Sequence, residues 1–241
     1  MTAAVEREAA TGGRAIVRPG AVIAIVALAL IALVIGINTL IENYRDRVAL
    51  KGDDGKPSPI ALTVRGEALT IPANMIRFRS ERRGGAVEEI DLALHWPSLQ
   101  GFSEGFADAF EDTSPDAPIL FATITARATE VDATARLASV YARFFAGPAI
   151  QGPAGLVGRA LLPDSGYRGE VVYFTPKVRT PFVARCIGEA TAEIPATCLR
   201  DVNVGTGLSI LYRFNKARLG DWQAIDGALL RLVAGFLVKP S

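Results

Sequence analysis

The sequence predicts an α+β fold, with a largely antiparallel sheet and flanking helices, preceded by one N-terminal transmembrane helix. Three observations predict it. Residues 21–41, AVIAIVALALIALVIGINTLI, carry no charge, and only Asn38 and Thr39 interrupt their apolar character. Short extended runs separated by Gly and Pro turns follow one another in the C-terminal half, as a meander requires. Stretches with helical apolar spacing fall among the strands in no strict alternation, which argues against a parallel βαβ sheet.

A helix rises about 1.5 Å per residue, so residues 21–41 would span about 30 Å, the thickness of a hydrocarbon core. A cleaved signal peptide has a shorter apolar core, about 7–15 residues, ending in a small-residue cleavage site. The run here is longer, and the NTLIENYRDR stretch at its end offers no Ala-x-Ala pattern. An uncleaved signal-anchor over 20–41 is expected, with the lipid bilayer as its partner. Residues 1–19 then form a short cytoplasmic tail, too short to fold alone. Arg7, Arg14 and Arg18 precede the span, and Arg45, Arg47, Lys51 and Lys56 follow it, so the positive-inside count is close to a draw.

The cysteines help to set the orientation. Cys186 and Cys198 are the only two, in FVARCIGEATAEIPATCLRDVNV, and each lies in an extended run. If those runs pair as antiparallel neighbours, the cysteines face each other at a separation compatible with a disulfide. Such a bridge would contribute about 2–3 kcal/mol in the chain-entropy model and requires an oxidising compartment. Two unrelated buried thiols are the alternative. Bridge and anchor together predict a single-pass inner-membrane protein with its C-terminal domain in the periplasm.

Residues 42–59 are polar and contain Gly52, Gly55, Pro57 and Pro59, which reads as a juxtamembrane linker. The folded domain is expected over 60–241. ALTVRGEALTI suggests two short strands around Gly66, and IPANMIRFR a further extended segment. EIDLALHW alternates, with Ile90, Leu92, Leu94 and Trp96 on one face and Asp91, Ala93 and His95 on the other. ILFATITA is apolar on both faces and reads as a central, fully covered strand. Helices are expected on either side of it: SLQGFSEGFADAFED, with Leu99, Phe102, Phe106 and Phe110 at near-helical spacing, and VDATARLASVYARFF, stopped by Gly147. The Gly/Pro-rich stretch 146–158 marks a candidate subdomain boundary. GRALL, EVVYFTP, FVARCI, CLRDVNV and LSILYRF follow as strands. A closing helix begins at an Asp221 cap and shows an apolar face of Trp222, Ile225, Leu229, Leu232, Val233 and Phe236. Arg231 and the shortness of its apolar part argue against a second membrane span.

The formal net charge is +1. Arg7, Arg14 and Arg18 against Glu6 and Glu8 account for all of it, so residues 42–241 are neutral. A neutral domain lacks the field that neutralising several phosphates requires, so no nucleic-acid partner is expected.

Catalytic signals are sparse. His95 is the only histidine, and a histidine-dependent hydrolase would have to use it as base; a surface histidine is the alternative. Ser165 in LPDSGYRGEV has Asp164 beside it but lies in no Gly-x-Ser-x-Gly elbow, and turn chemistry explains the run. Glu88, Glu89 and Asp91, and likewise Glu104, Asp108, Glu111 and Asp112, read as solvated faces rather than a carboxylate pair across a cleft. Two cysteines and one distant histidine make no metal spacing, and no glycine-rich phosphate cradle is present, so neither metal nor cofactor is expected. Arg77, Arg79, Arg82 and Arg83 cluster in RFRSERRGG and could meet an acidic protein or an anionic envelope partner; a charged tip that blunts a sheet edge is the alternative.

This layout resembles single-pass, membrane-anchored envelope proteins of Gram-negative bacteria, a resemblance of topology that implies no activity. The expected function is a non-catalytic binding or accessory module of the cell envelope. The alternatives are a periplasmic hydrolase using His95, with Ser165 or a nearby carboxylate, and an accessory subunit of a membrane transporter.

Overall fold

The computed structural model describes residues 28–40, 56–112, 114, 116–129, 131–187 and 196–238, and the chain divides into two units, 1–48 and 49–241. In the first unit, residues 28–40 form helix α1. Its large apolar side chains are 46–70% exposed, from Ile37 to Leu40. The transmembrane helix expected over 20–41 is described only within that range. Among the described residues no helix is long and apolar enough to cross a membrane. The expected tail over 1–19 and most of the linker over 42–59 lie outside the described residues.

The second unit is built on two sheets. Strands β1 (Pro59–Val64) and β2 (Glu67–Pro72) form a hairpin whose two turn residues, Arg65 and Gly66, have φ of 44° and 95°. Two successive positive φ angles match the twist of a tight hairpin, which is why glycine follows arginine there. Strand β3 (Gly85–Val87) joins β1 in parallel, giving the order β2-β1-β3.

The larger sheet contains β4 (Glu89–His95), β5 (Ile119–Ala126), β6 (Phe145–Gln151), β7 (Val157–Leu161), β8 (Glu170–Phe174), β9 (Val183–Ile187), β10 (Thr197–Val204) and β11 (Leu208–Asn215). Their order is β4-β5-β11-β10-β9-β8-β7-β6, and every neighbouring pair is antiparallel. Among the described residues three helices accompany it: α2 (Ala107–Glu111), α3 (Ala133–Ser139) and α4 (Trp222–Phe236). The expected α+β class with a large antiparallel sheet is what the chain forms.

One face of the large sheet carries the main core. Ile90, Leu92 and Leu94 of β4 lie in register with Ile124, Ala122 and Leu120 of β5, and Ile210, Tyr212 and Phe214 of β11 continue the rows. Against them pack Ile225, Leu229, Val233 and Phe236 of α4 and Leu62, Val64, Leu69 and Ile71 of the small sheet. Period-two burial in the strands and a three-to-four spacing in α4 meet here, as two amphipathic elements must.

One polar network crosses this core. Arg200, only 5% exposed, donates from Nε to Asp226 Oδ1 at 2.9 Å and from Nη1 to the Val183 carbonyl at 3.1 Å. Tyr212 donates to the same Asp226 oxygen at 2.6 Å. Burial, reinforced by Asp226, pushes the Tyr212 hydroxyl well above its ordinary pKa. Helix α4 is thus tied to β10 and β11 by charge as well as by apolar contact.

Several local expectations give way to tertiary structure. The helix expected over 98–112 contracts to a 3-10 turn, Glu104–Phe106, and the five residues of α2. Gly101 explains the contraction: a Cβ there would lie 2.2 Å from the Asn74 carbonyl oxygen. That close approach is pinned in both directions, Phe102 N to Asn74 O at 2.8 Å and Asn74 Nδ2 to Phe102 O at 3.0 Å. Helix α3 begins two residues later than VDATARLASVYARFF suggests, at Ala133, with Asp132 accepting from Ala135 N at 3.0 Å, and ends at Ser139 because the chain from Phe145 is recruited as an edge strand. The Gly/Pro-rich stretch 146–158, a candidate subdomain boundary, forms most of β6, a 3-10 turn and the start of β7. Asp221 makes no side-chain cap on α4; Asn215 instead caps the preceding 3-10 turn by accepting from Ala217 N at 2.7 Å.

Candidate functional site

Among the described residues, the second face of the large sheet is covered only at its two ends. Over β7 to β9, Ala133, Tyr141, Leu161, Val172 and Val183 form a small apolar cluster beneath α3 and the 3-10 segment Tyr141–Phe144. Over the ends of β4 and β5, Phe102 and Phe110 meet edge to face at 5.7 Å against Ala93 and Ile119. Between these covers the sheet is open. ILFATITA was expected to be covered on both faces, but Phe121, Thr123 and Thr125 of β5 are only half-buried. Leu211, in mid-strand beside them, is 43% exposed.

A groove of about 360 Å³ lies in this opening. Leu199, Leu211, Thr125 and Ser209 line it from the strands, and Arg136, Tyr141, Arg185 and Asp201 supply its polar groups. Arg136 of α3 makes an ion pair with Asp201 of β10 and donates to the Tyr141 hydroxyl at 3.3 Å and the Val131 carbonyl at 2.9 Å. Burial lowers the Arg136 pKa, but the Tyr141 bond and Asp201 outweigh it and the net direction is upward. Arg185 pairs with Glu170 at 2.8 Å and lies 4.6 Å over the Tyr167 ring. Burial raises the Glu170 carboxyl, and Arg185 partly offsets that rise. These arginines fix α3 and β8 to the sheet with their charge already matched.

Beyond Leu211 the pattern changes. Arg77 and Arg213 lie 4.6 and 5.0 Å over the same ring, Phe121. Arg77 also lies 4.9 Å over Phe78. Burial lowers the Arg77 pKa, Asp91 opposes that, and Arg213 adds to it as a like charge. Asp91 accepts from Thr123 Oγ1 at 2.6 Å.

The four arginines of RFRSERRGG do not act as one cluster. Arg77 turns onto the sheet. Arg82 donates from Nε and Nη2 to the Ile76 carbonyl at 3.0 and 2.8 Å, and Arg79 and Arg83 are exposed on the 3-10 turn Arg79–Arg83. The segment closes the outer edge of β4: Arg77 N donates to Asp91 O at 2.7 Å, and Asp91 N donates to Glu81 Oε2 at 3.0 Å. Burial, with Asp91 and Glu89 nearby, raises the Glu81 carboxyl to about 7 against the pull of the Asp91 amide. A carboxylate here takes the place of a neighbouring strand's acceptor.

His95 and Ser165 are not brought together. His95 ends β4, Ser165 follows β7, and those strands are six places apart in the sheet. The His95 ring stacks on Phe106 at 4.1 Å, with Nδ1 3.0 Å from Ser98 Oγ. Burial, then Arg218, lowers its pKa. Ser165 Oγ donates to the Leu162 carbonyl at 2.6 Å and accepts from Tyr167 N at 3.2 Å, the local bonding of a turn. Neither residue lines the groove. Glu88, Glu89, Glu104, Asp108, Glu111 and Asp112 are exposed. Among the described residues no three His, Cys, Asp or Glu side chains converge as a metal would need.

Cys186 and Cys198 are joined, with sulfurs 1.99 Å apart, across directly opposed positions of β9 and β10. Among the described residues that ladder holds two residue pairs, fewer than any other in the sheet, and the covalent bond fastens this seam.

Sequence reasoning missed Arg213, Leu211 and Thr123 as a surface. The signal was present in LSILYRF, where Leu208, Ile210, Tyr212 and Phe214 alternate with Ser209, Leu211 and Arg213.

No family model matches the chain, and no curated protein matches it either. Two solved structures are similar to the chain to differing degrees. One is Smlt3025, an immunity protein of the Stenotrophomonas maltophilia type IV secretion system: 16% identity over 76% of this chain and 95% of that one, TM-score 0.55. The other is FrpD, an iron-regulated outer membrane lipoprotein of Neisseria meningitidis: 13% identity over 76% and 94%, TM-score 0.47. The first likeness establishes that the α+β architecture of this chain recurs in another protein.

Proposed function

We propose that the chain is a membrane-anchored module of the cell envelope that works by binding a protein, without catalysis, through the open centre of its large sheet. The observation that carries this reading is Leu211, 43% exposed in mid-sheet and flanked by an uncovered strip of hydroxyl and charged side chains. An apolar side chain left in water at the middle of a sheet, inside a polar rim, is the pattern of a contact surface. The fold shared with a protein named as an immunity protein supports a protein partner over a small substrate. Arg77, with the exposed Arg79 and Arg83, adds positive charge at one end of the strip.

Two further observations support the location. The bridge between Cys186 and Cys198 suits an oxidising compartment, the periplasm. The exposed apolar side chains of residues 28–40 suit burial in lipid, as part of a single-pass anchor in the inner membrane.

Capture of partners by the full chain in solubilised membranes tests the reading. A protein recovered with the wild type and lost with Leu211→Glu supports it. An unchanged set of partners with that variant contradicts it. Protease added to spheroplasts should remove the C-terminal domain; full protection would place that domain in the cytoplasm.

A further inference from the structure

We infer that Arg77 and Arg213 form a carboxylate-binding pair, and that the partner meets this strip with an extended segment in which an acidic and an apolar residue stand two positions apart. The inference rests on the protein-binding reading above and names the chemistry of the partner.

Three of the other arginines tied to the sheet set the contrast; a fourth, Arg159, lies singly over the Phe145 ring and donates to the Gly147 carbonyl. Arg136, Arg185 and Arg200 each pair with a carboxylate: Asp201, Glu170 and Asp226. Arg77 and Arg213 make no ion pair among the described residues, yet both guanidiniums sit within 5.0 Å of the Phe121 ring centroid. The ring face attracts each cation, but two like charges on one ring repel each other, and a shared anion would relieve that repulsion. Arg77 is half-buried and its position is fixed by the Arg77 N bond to Asp91 O at 2.7 Å, so one half of the pair is preorganised. Arg213 is exposed and free to close on the anion.

Spacing decides the form of the ligand. Leu211 and Arg213 point to the same face of β11, one strand repeat apart, about 7 Å. An extended segment lying along β11 presents alternate side chains at that same interval. One carboxylate over Arg213 and one apolar side chain against Leu211 then satisfy both. The open strip lies between α3 and the phenylalanines Phe102 and Phe110, and its apolar and hydroxyl members give a bare anion little to hold. A small phosphate or a lipid headgroup would use the arginines but leave Leu211 in water.

The probe is a fluorescein-labelled dodecapeptide, Glu-Ser-Leu-Ser repeated, titrated with the full chain in neutral-lipid nanodiscs and followed by anisotropy. Saturable binding is expected, and replacing Glu by Gln in the peptide should weaken it about tenfold or more. Arg213→Gln should weaken binding by a similar factor, Arg77→Gln/Arg213→Gln further, and Arg213→Lys by less than either. The charge-matched control Arg65→Gln/Arg168→Gln, exposed at the β1–β2 and β7–β8 turns, should stay within about twofold of the wild type. Arg213 is exposed, so its single variant tests the pair even if the half-buried Arg77 cannot be replaced without loss of folding. Binding that is indifferent to Arg213→Gln overturns the inference, as does release of the peptide by millimolar inorganic phosphate, or Arg213-dependent recruitment to phosphatidylglycerol vesicles without peptide binding. If a membrane partner is captured through Leu211 but ignores Arg213→Gln, the inference fails and the protein-binding reading stands. If Leu211→Glu leaves capture unchanged as well, both fail.

Discussion

The two faces of the eight-stranded sheet are made by the same strands, one residue out of step, and they have been resolved in opposite ways. On β11, Leu208, Ile210, Tyr212 and Phe214 are buried, while Leu211 and Arg213 between them are exposed. The first set meets α4 and a second sheet; the second meets helical cover at both ends and water in the middle. Burial on the inner face stabilises the fold through removed apolar area and filled volume. The outer face holds Arg136 and Arg185 in surface pairs, which contribute little to stability, and leaves Arg77 and Arg213 without an ion pair among the described residues. Opposite mutational consequences on adjacent residues are the signature of this division.

The largest effect should fall on the buried network of the inner face. Asp226→Ala leaves Arg200 charged in the core, and urea unfolding should show a loss of about 3–5 kcal/mol. The sharpest contrast is between neighbours: Ile210→Ala should cost about 2–5 kcal/mol, whereas Leu211→Ala should stay within about 0.5 kcal/mol of the wild type. Equal costs at the two positions would mean that the outer face is as closed as the inner one.

Next comes the seam between β9 and β10. Replacing both cysteines by alanine should cost about 2–3 kcal/mol, read from the unfolding midpoint. Hydrogen exchange should then quicken first in β9 and β10, which share two residue pairs among the described residues.

The smallest effect is a dependence on pH. Burial raises the folded-state pKa of Glu81 to about 7, above its ordinary value. A group raised on folding contributes stability that is fully present below its unfolded pKa and lost as pH rises through its folded one. Stability should therefore fall between pH 5 and 8 by about 1 kcal/mol, a value discounted because the carboxyl is half-exposed. Glu81→Gln should flatten that slope in unfolding midpoints measured across the range. An unchanged slope would remove Glu81 as the titrating cap on the edge of β4.

Much of the inner face was legible in the sequence, because burial there follows local periodicity. Ile90, Leu92 and Leu94 alternate cleanly, and Ile225, Leu229 and Val233 fall on one helical face. The pairing of Cys186 with Cys198 was legible for the same reason: each sits in a run that pairs with the other. What failed depended on contacts distant in the chain. SLQGFSEGFADAFED has helical spacing, but Gly101 is held against Asn74, and no local signal records that approach. ILFATITA looks apolar on both faces, but among the described residues no helix lies over Thr123 and Thr125, and these are only half-buried. Arg77 was singled out by its basic neighbours, whereas its structural companion is Arg213, brought beside it by a shared ring.

Photo-crosslinking in living cells tests the central claim most directly. Benzoylphenylalanine placed at position 211 of the full chain should give a discrete, light-dependent adduct with one protein, and the same probe at position 65, on the β1–β2 turn, should give none. An adduct from position 65 with no adduct from position 211 would show that the open centre of the sheet is not the binding surface.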